Sequence, residues 1–150
     1  MKEMIKISDK IRKVLIVDDS ELLHRMYDLI FFRCRNNGIK ILHAYDGQEA
    51  LSKLSEHPDT DLIVLDIHMP VMDGLQFLRH CNKERIHQKI PVIVTGTQGK
   101  EQDTMDGLKA GAQGYLIKPF ETENFYKVIN KVFYEKPKAA QETVEFSNPF

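Results

Sequence analysis

Five residues able to do polar chemistry stand where short apolar runs give out. Asp18 and Asp19 follow the run 14–17, Asp66 follows 62–65, Thr95 follows 91–94 and Lys118 follows 114–117. Carboxylates drawn together repel and raise one another's pKa. A hard divalent cation removes that conflict. Mg²⁺ prefers oxygen ligands in near-octahedral geometry and keeps several waters, so two carboxylates, a backbone carbonyl and waters satisfy it. Such an ion can hold an oxygen of an incoming phosphoryl group while Asp66 attacks phosphorus as a carboxylate nucleophile. The Lys118 ammonium can pair with a phosphoryl oxygen from the other side, and the Thr95 hydroxyl can donate to another. A lone aspartate at a strand end is ordinarily a helix cap or a solvated loop residue. What sets these apart is that the five groups come from four different runs.

For the five groups to meet, the runs must be strands of one sheet. The runs are 14–17, 39–42, 62–65, 91–94 and 114–117. The first, third and fourth are β-branched or leucine stretches without polar alternation, the pattern of strands buried on both faces of a parallel sheet. The second and fifth carry more polar character and belong nearer the edges. Helical stripes alternate with them. Phe125, Val128, Ile129, Val132 and Phe133 repeat on one helical face, and Phe77, Leu78 and Cys81 form a shorter one. Asp46 is placed to cap a helix, with Glu49 reaching back and Ala50, Leu51 and Leu54 turned inward. Ser20 is placed to cap a helix running to about Arg35, ended by Asn37 and Gly38. A helix between Glu101 and Ala110 is the weakest reading, because Gly107 interrupts it. Strands alternating with helices give βαβ units. Five of them make an open, doubly wound α/β sheet in one domain, with ligands bound beyond the carboxyl ends of the strands.

The bulk numbers exclude other classes. The chain has 150 residues, 42% hydrophobic and 29% charged, enough for one domain with a real core. Its 21 Lys and Arg against 22 Asp and Glu leave a net charge of −1, which gives no support for direct nucleic-acid binding. Two cysteines, Cys34 and Cys81, stand in no framework and no metal-ligand spacing, which points to a reducing, cytoplasmic compartment. No apolar stretch approaches the roughly 18 residues of a membrane span, and residues 1–13 lack an apolar signal core. A secreted or membrane-anchored protein is not expected.

Four segments then carry a resemblance. Residues 14–20 (VLIVDDS), 61–74 (DLIVLDIHMPVMDG), 91–95 (PVIVT) and 111–120 (GAQGYLIKPF) resemble, in family order, the signatures of bacterial response-regulator receiver domains. The match runs from about Lys13 to Phe133 and is most like the stand-alone chemotaxis regulators. It implies a flavodoxin-like (βα)5 fold with five parallel strands in the order 2-1-3-4-5. It implies that Asp66 is the phosphorylated residue, that Asp19 contacts Mg²⁺ directly, and that Asp18 does so mainly through water. By the same resemblance His68 offers its backbone carbonyl to the metal, Thr95 is the switch hydroxyl, Tyr115 the aromatic that moves with it, and Lys118 the phosphate-pairing lysine. The Lys118–Pro119 bond is cis in the family. The implied partners are a sensor histidine kinase and a downstream protein of unknown identity, with no direct nucleic-acid or membrane contact, as a monomer or a phosphorylation-dependent dimer. The only chemistry expected is self-catalysed phosphoryl transfer and loss.

Three divisions follow: a lead-in at 1–12, the receiver at 13–134 and a flexible tail or linker at 135–150, where Phe146 and Phe150 can dock on something. Other functions are weighed against the residues. A phosphohydrolase with an aspartyl-phosphate intermediate calls for a second aspartate two residues after Asp66, where His68 stands. A flavin module calls for a Ser/Thr/Gly-rich loop after the first strand, where Asp18, Asp19, Ser20 and Glu21 would repel phosphate. A receiver that no longer accepts phosphate would lack some of the five groups. A phosphorelay intermediate passing its phosphoryl group to a histidine, or a receiver cut from a longer regulator with an output domain, stays open. The His68 side chain is expected at the pocket rim, where it can order or block water, and the other five histidines on the surface. Tyr115 belongs to the switch rather than a plain core. Gly96 is expected to leave the phosphoryl site open. Phe31 and Phe32 are adjacent, so one helical face does not bury both.

Overall fold

A computed structural model describes residues 7–34, 38–86 and 90–134. Strands and helices alternate: β1 (Lys13–Val17), α1 (Glu21–Phe32), β2 (Lys40–Ala44), α2 (Gly47–Glu56), β3 (Leu62–Asp66), α3 (Gly74–Lys83), β4 (Val92–Thr97), α4 (Glu101–Lys109), β5 (Gly114–Lys118) and α5 (Thr122–Tyr134). The strands form one parallel sheet in the order β2-β1-β3-β4-β5. β1 and β3 lie inside it, and β3 is buried along its whole length. β2 and β5, the more polar runs, are the edges.

Side chains alternate across a strand, so each central strand feeds two cores. Leu15, Val17, Ile63, Leu65, Val92 and Val94 face α2, α3 and α4. Val14, Ile16, Leu62, Val64, Ile93 and Leu116 face α1 and α5. Phe77, Leu78 and Cys81 close the first core, and Phe125 and Ile129 the second. Ile7 and Ile11, ahead of β1, are buried in the second core. Cys34 and Cys81 are both free and lie in different cores.

The helix starts follow their capping residues. The Ser20 hydroxyl accepts from the Leu23 N–H at 3.2 Å. Asp46 accepts from the Glu49 N–H, while the Glu49 carboxylate reaches one residue further back than expected, to the Tyr45 N–H at 2.7 Å. A complete capping box stands instead at α3, between Asp73 and Gln76. α1 ends at Phe32, short of Arg35; the expected stop at Asn37 lies outside the described residues, as do the tail and Phe146 and Phe150. Phe31 is buried and Phe32 is exposed, as their adjacency requires. α4 forms despite Gly107, because that glycine is buried against the β4 side chain of Val94, where a side chain would press on Val94 and Ile67. A helix-weakening residue is kept there by the closeness of helix and sheet.

Candidate functional site

The alternation that builds the cores also aims the site. Asp18, Asp66, Thr95 and Lys118 are in phase with Ile16, Val64, Ile93 and Leu116, the residues turned toward α1 and α5. Register completes the alignment: Asp66 lies opposite Thr95, and Thr97 opposite Lys118. The groups thus converge past one end of the sheet and on one side of it.

Asp18 and Asp66 are buried and Asp19 is exposed, and one oxygen of each lies within 4.8 Å of the others. The Lys118 ammonium bridges the two buried carboxylates, at 3.2 Å from Asp18 Oδ2 and 3.3 Å from Asp66 Oδ1. The Ser20 N–H donates to Asp18 Oδ1 at 2.9 Å, and the His68 N–H to Asp66 Oδ1 at 3.2 Å. Burial first, then the Asp18 charge, pushes the Asp66 carboxyl up to about 6; Lys118 and the His68 N–H pull the other way without cancelling them. Three carboxylates against one ammonium leave negative charge that the protein's own cation does not neutralise. The donors are all oxygen, and one is open to water. That combination fits a hard divalent cation such as Mg²⁺ and not a soft metal.

Loop geometry sets where Asp66 ends. The Ile67 N–H donates to Thr95 O, and the Gly74 N–H donates to Ile67 O, so the chain doubles back onto β3. A side chain at Gly74 would meet Asp66 O at 2.5 Å, so the start of α3 packs on the backbone of Asp66 itself. Between them Val71 turns with φ 64°, and the Met72 N–H donates to Pro70 O across it. The Lys118–Pro119 bond at the opposite wall is cis.

The other expected residues are placed as follows. The His68 imidazole lies at the rim, its side chain 47% exposed, and binds Asp103 of α4 at 2.7 Å. Thr95 is fully buried. Tyr115 is half-buried against the α4 side of the core, the face opposite Thr95, and burial raises its pKa. A side chain at Gly96 would meet Thr104 Oγ1 of α4 at 2.6 Å, so its absence is matched to the helix packed over β4.

The histidines hold a correction. His24 is buried, not on the surface. Its Nε2 donates to Asp18 O at 2.7 Å, its Nδ1 meets His43 Nδ1 at 2.6 Å, and His43 reaches Asp28 at 3.1 Å. Its ring also lies on Tyr45, centroids 4.1 Å apart. The backbone of the acidic turn is thereby fixed from below. The signal was present, since His24, Tyr27, Ile30 and Phe31 share the helical spacing of the buried α1 face.

Comparisons agree with this geometry. Residues 14–130 match the family described as the response regulator receiver domain. The phosphate regulon transcriptional regulatory protein PhoB of Escherichia coli (strain K12) is 33% identical over 135 residues, covering 89% of this chain and 57% of that protein's length. A chemotaxis protein CheY homolog of Campylobacter jejuni (strain 81-176) is 32% identical over 108 residues, covering 72% of this chain and 82% of that protein. Among solved structures, the receiver domain of the Francisella response regulator 1452 has 33% identity and a TM-score of 0.64, covering 81% of this chain and 95% of that one. The Vibrio cholerae chemotaxis response regulator CheY4 has 31% identity and a TM-score of 0.69, covering 81% and 98%. With the parallel order β2-β1-β3-β4-β5 beneath it and the acidic cluster at its strand ends, the chain belongs to the response regulator receiver domain family.

Proposed function

We propose that this receiver is switched by phosphorylation of Asp66, with a sensor histidine kinase as donor. The observation that carries this reading is the buried Asp66 carboxylate at the end of β3, held with Asp18 by one ammonium in an oxygen-only cluster. In the step, an Asp66 carboxylate oxygen bonds to phosphorus, the phosphorus–nitrogen bond of the donor phosphohistidine breaks, and the freed imidazole takes up a proton. Mg²⁺, held by Asp18, Asp19, Asp66 and the His68 carbonyl, would neutralise charge developing on the phosphoryl oxygens. Lys118 pairs with a phosphoryl oxygen, which draws it away from Asp18 and Asp66.

The phosphoryl group brings roughly two negative charges and new acceptor oxygens. Thr95 moves to donate to one of them, and Tyr115 turns into the space it leaves. The face formed by α4 and β5 changes, and a protein partner reads it. The functional unit is residues 13–134, with 1–12 a lead-in and 135–150 a tail, acting in the cytoplasm where kinase and target meet. No helix of the described residues is long and apolar enough to cross a membrane.

Incubation with Mg²⁺ and a small acyl-phosphate donor, followed by intact-mass measurement, is expected to add one phosphoryl group per chain. Asp66→Asn should add none. Full uptake by that variant would overturn the assignment.

A further inference from the structure

Tyr27 lies on the inner face of α1, 1% exposed, beneath the acidic cluster. Its ring is gripped on the α5 side by Phe120 and Phe125, with centroids 6.2 and 5.5 Å away. A phenylalanine would pack there equally well. The hydroxyl is therefore what needs explaining, because it has no hydrogen-bond partner among the described residues. Thr95 Oγ1 is in the same condition.

The two orphans are neighbours. Thr95 is in phase with the β4 residue Ile93, which packs against α1 and α5, and its hydroxyl stands near enough to the phenol to pull its pKa down against burial, without the two meeting in hydrogen-bond geometry. Asp18 and Asp66 stand close enough for their charges to act on that phenol, and with burial they hold it protonated. Tyr27 is thus a fixed O–H donor. A buried hydroxyl without a partner destabilises the state that contains it. Two such groups side by side mark a resting form poised to gain from a rearrangement that satisfies both.

A threonine hydroxyl has one proton to give and two lone pairs to fill. Once Thr95 spends its proton on the phosphoryl group, its oxygen can only accept. Tyr27 faces it with a proton that has no other destination among the described residues. Consecutive hydrogen bonds of this kind polarise and strengthen one another.

We propose that Tyr27 is a positioning residue of the switch: its phenol donates to Thr95 Oγ1 as Thr95 donates to the phosphoryl group on Asp66. The relay runs from α1 through β4 to the acceptor and favours the phosphorylated form. It approaches from the side of the sheet opposite Tyr115. The inference rests on the proposed phosphorylation of Asp66.

The test uses the full chain with Mg²⁺ and beryllofluoride, a phosphoryl mimic, titrated by calorimetry. Tyr27→Phe, Thr95→Ala and the double variant complete a cycle. Tyr27→Phe should weaken beryllofluoride binding about five- to tenfold, the net worth of one hydrogen bond. In the Thr95→Ala background the same change should have less than about a twofold effect. Without beryllofluoride, Tyr27→Phe should melt at or above the wild-type temperature, since it removes an unpaired buried group.

Wild-type affinity in Tyr27→Phe would overturn the inference, as would an equal loss in the Thr95→Ala background. So would a lower melting temperature of the unliganded variant, which would show the phenol already satisfied at rest. Failure of the wild type to bind beryllofluoride at all would overturn the reading of Asp66, and this inference with it.

Discussion

The proposed acceptor carries opposing demands on a single side chain. Under the proposed phosphorylation Asp66 must be ionised to attack phosphorus, yet burial and the Asp18 charge push its carboxyl up to about 6 from an ordinary 3.8. Across that window the folded, metal-free protein binds more protons than the unfolded chain, so its stability falls as pH rises from about 4 to 6 and then levels off. The shift corresponds to strain on the order of 3 kcal/mol at neutral pH. In chelator, Asp66→Asn should therefore be more stable than wild type at pH 7.5, by up to that amount. The gap should close as pH falls toward 4, as denaturation series at stepped pH would report. Divalent metal should narrow the gap from the other side, by stabilising the wild type alone. His24 works on the same turn from beneath, through the Asp18 carbonyl. Residue type hid it: a histidine on a helix reads as surface until its spacing with Tyr27 and Phe31 is given weight.

At the scale of elements, what the sequence made legible depended on whether one strand or helix could be read alone. β1, β3 and β4 were legible because a strand buried on both faces must be apolar throughout. The site residues were legible because they sit where the apolar runs stop: Asp18 and Asp19 just past β1, Asp66 and Lys118 as the last residues of β3 and β5, and Thr95 in the last half of β4. α4 was not, because its glycine is explained by Val94 and Ile67, residues distant in sequence. Gly96 belongs to the same class. The space its missing side chain would fill is taken by Thr104 Oγ1, a residue of another element. Gly96→Ala should therefore cost about 1–3 kcal/mol by overpacking, measured by urea denaturation. Thr104→Ala in the same chain should recover most of that loss, since it removes the oxygen the new methyl would meet. A loss that Thr104→Ala leaves untouched would place the conflict elsewhere. The rim contact between His68 and Asp103 joins the loop after Asp66 to the same helix, again through residues far apart in sequence.

At the scale of the whole molecule, the sheet divides the protein into two cores, and the site draws on both sides of it. Asp18, Asp66, Thr95 and Lys118 share the α1 and α5 side, whereas Tyr115 and Thr104 lie on the other. The α1 and α5 core extends to Ile7 and Ile11, ahead of the first strand. The charged run in which they sit gave no sign of this, because two isolated isoleucines make no periodic pattern. Ile11→Ala should destabilise the fold by about 2–5 kcal/mol in chemical denaturation, as removal of a fully buried side chain does. Helices antiparallel to the strands have a further consequence. α5 begins just past Lys118, at the Asp66 end of the sheet, and its last turn packs Val132 over Gly114, the first residue of β5. Its 13 residues therefore carry the chain about 20 Å from the proposed phosphoryl site, to the far end of the sheet. A reporter dye attached at Tyr134 would be beyond two Debye lengths in physiological salt and blind to the new charge itself. Any signal it gave would measure motion transmitted through the body of the protein.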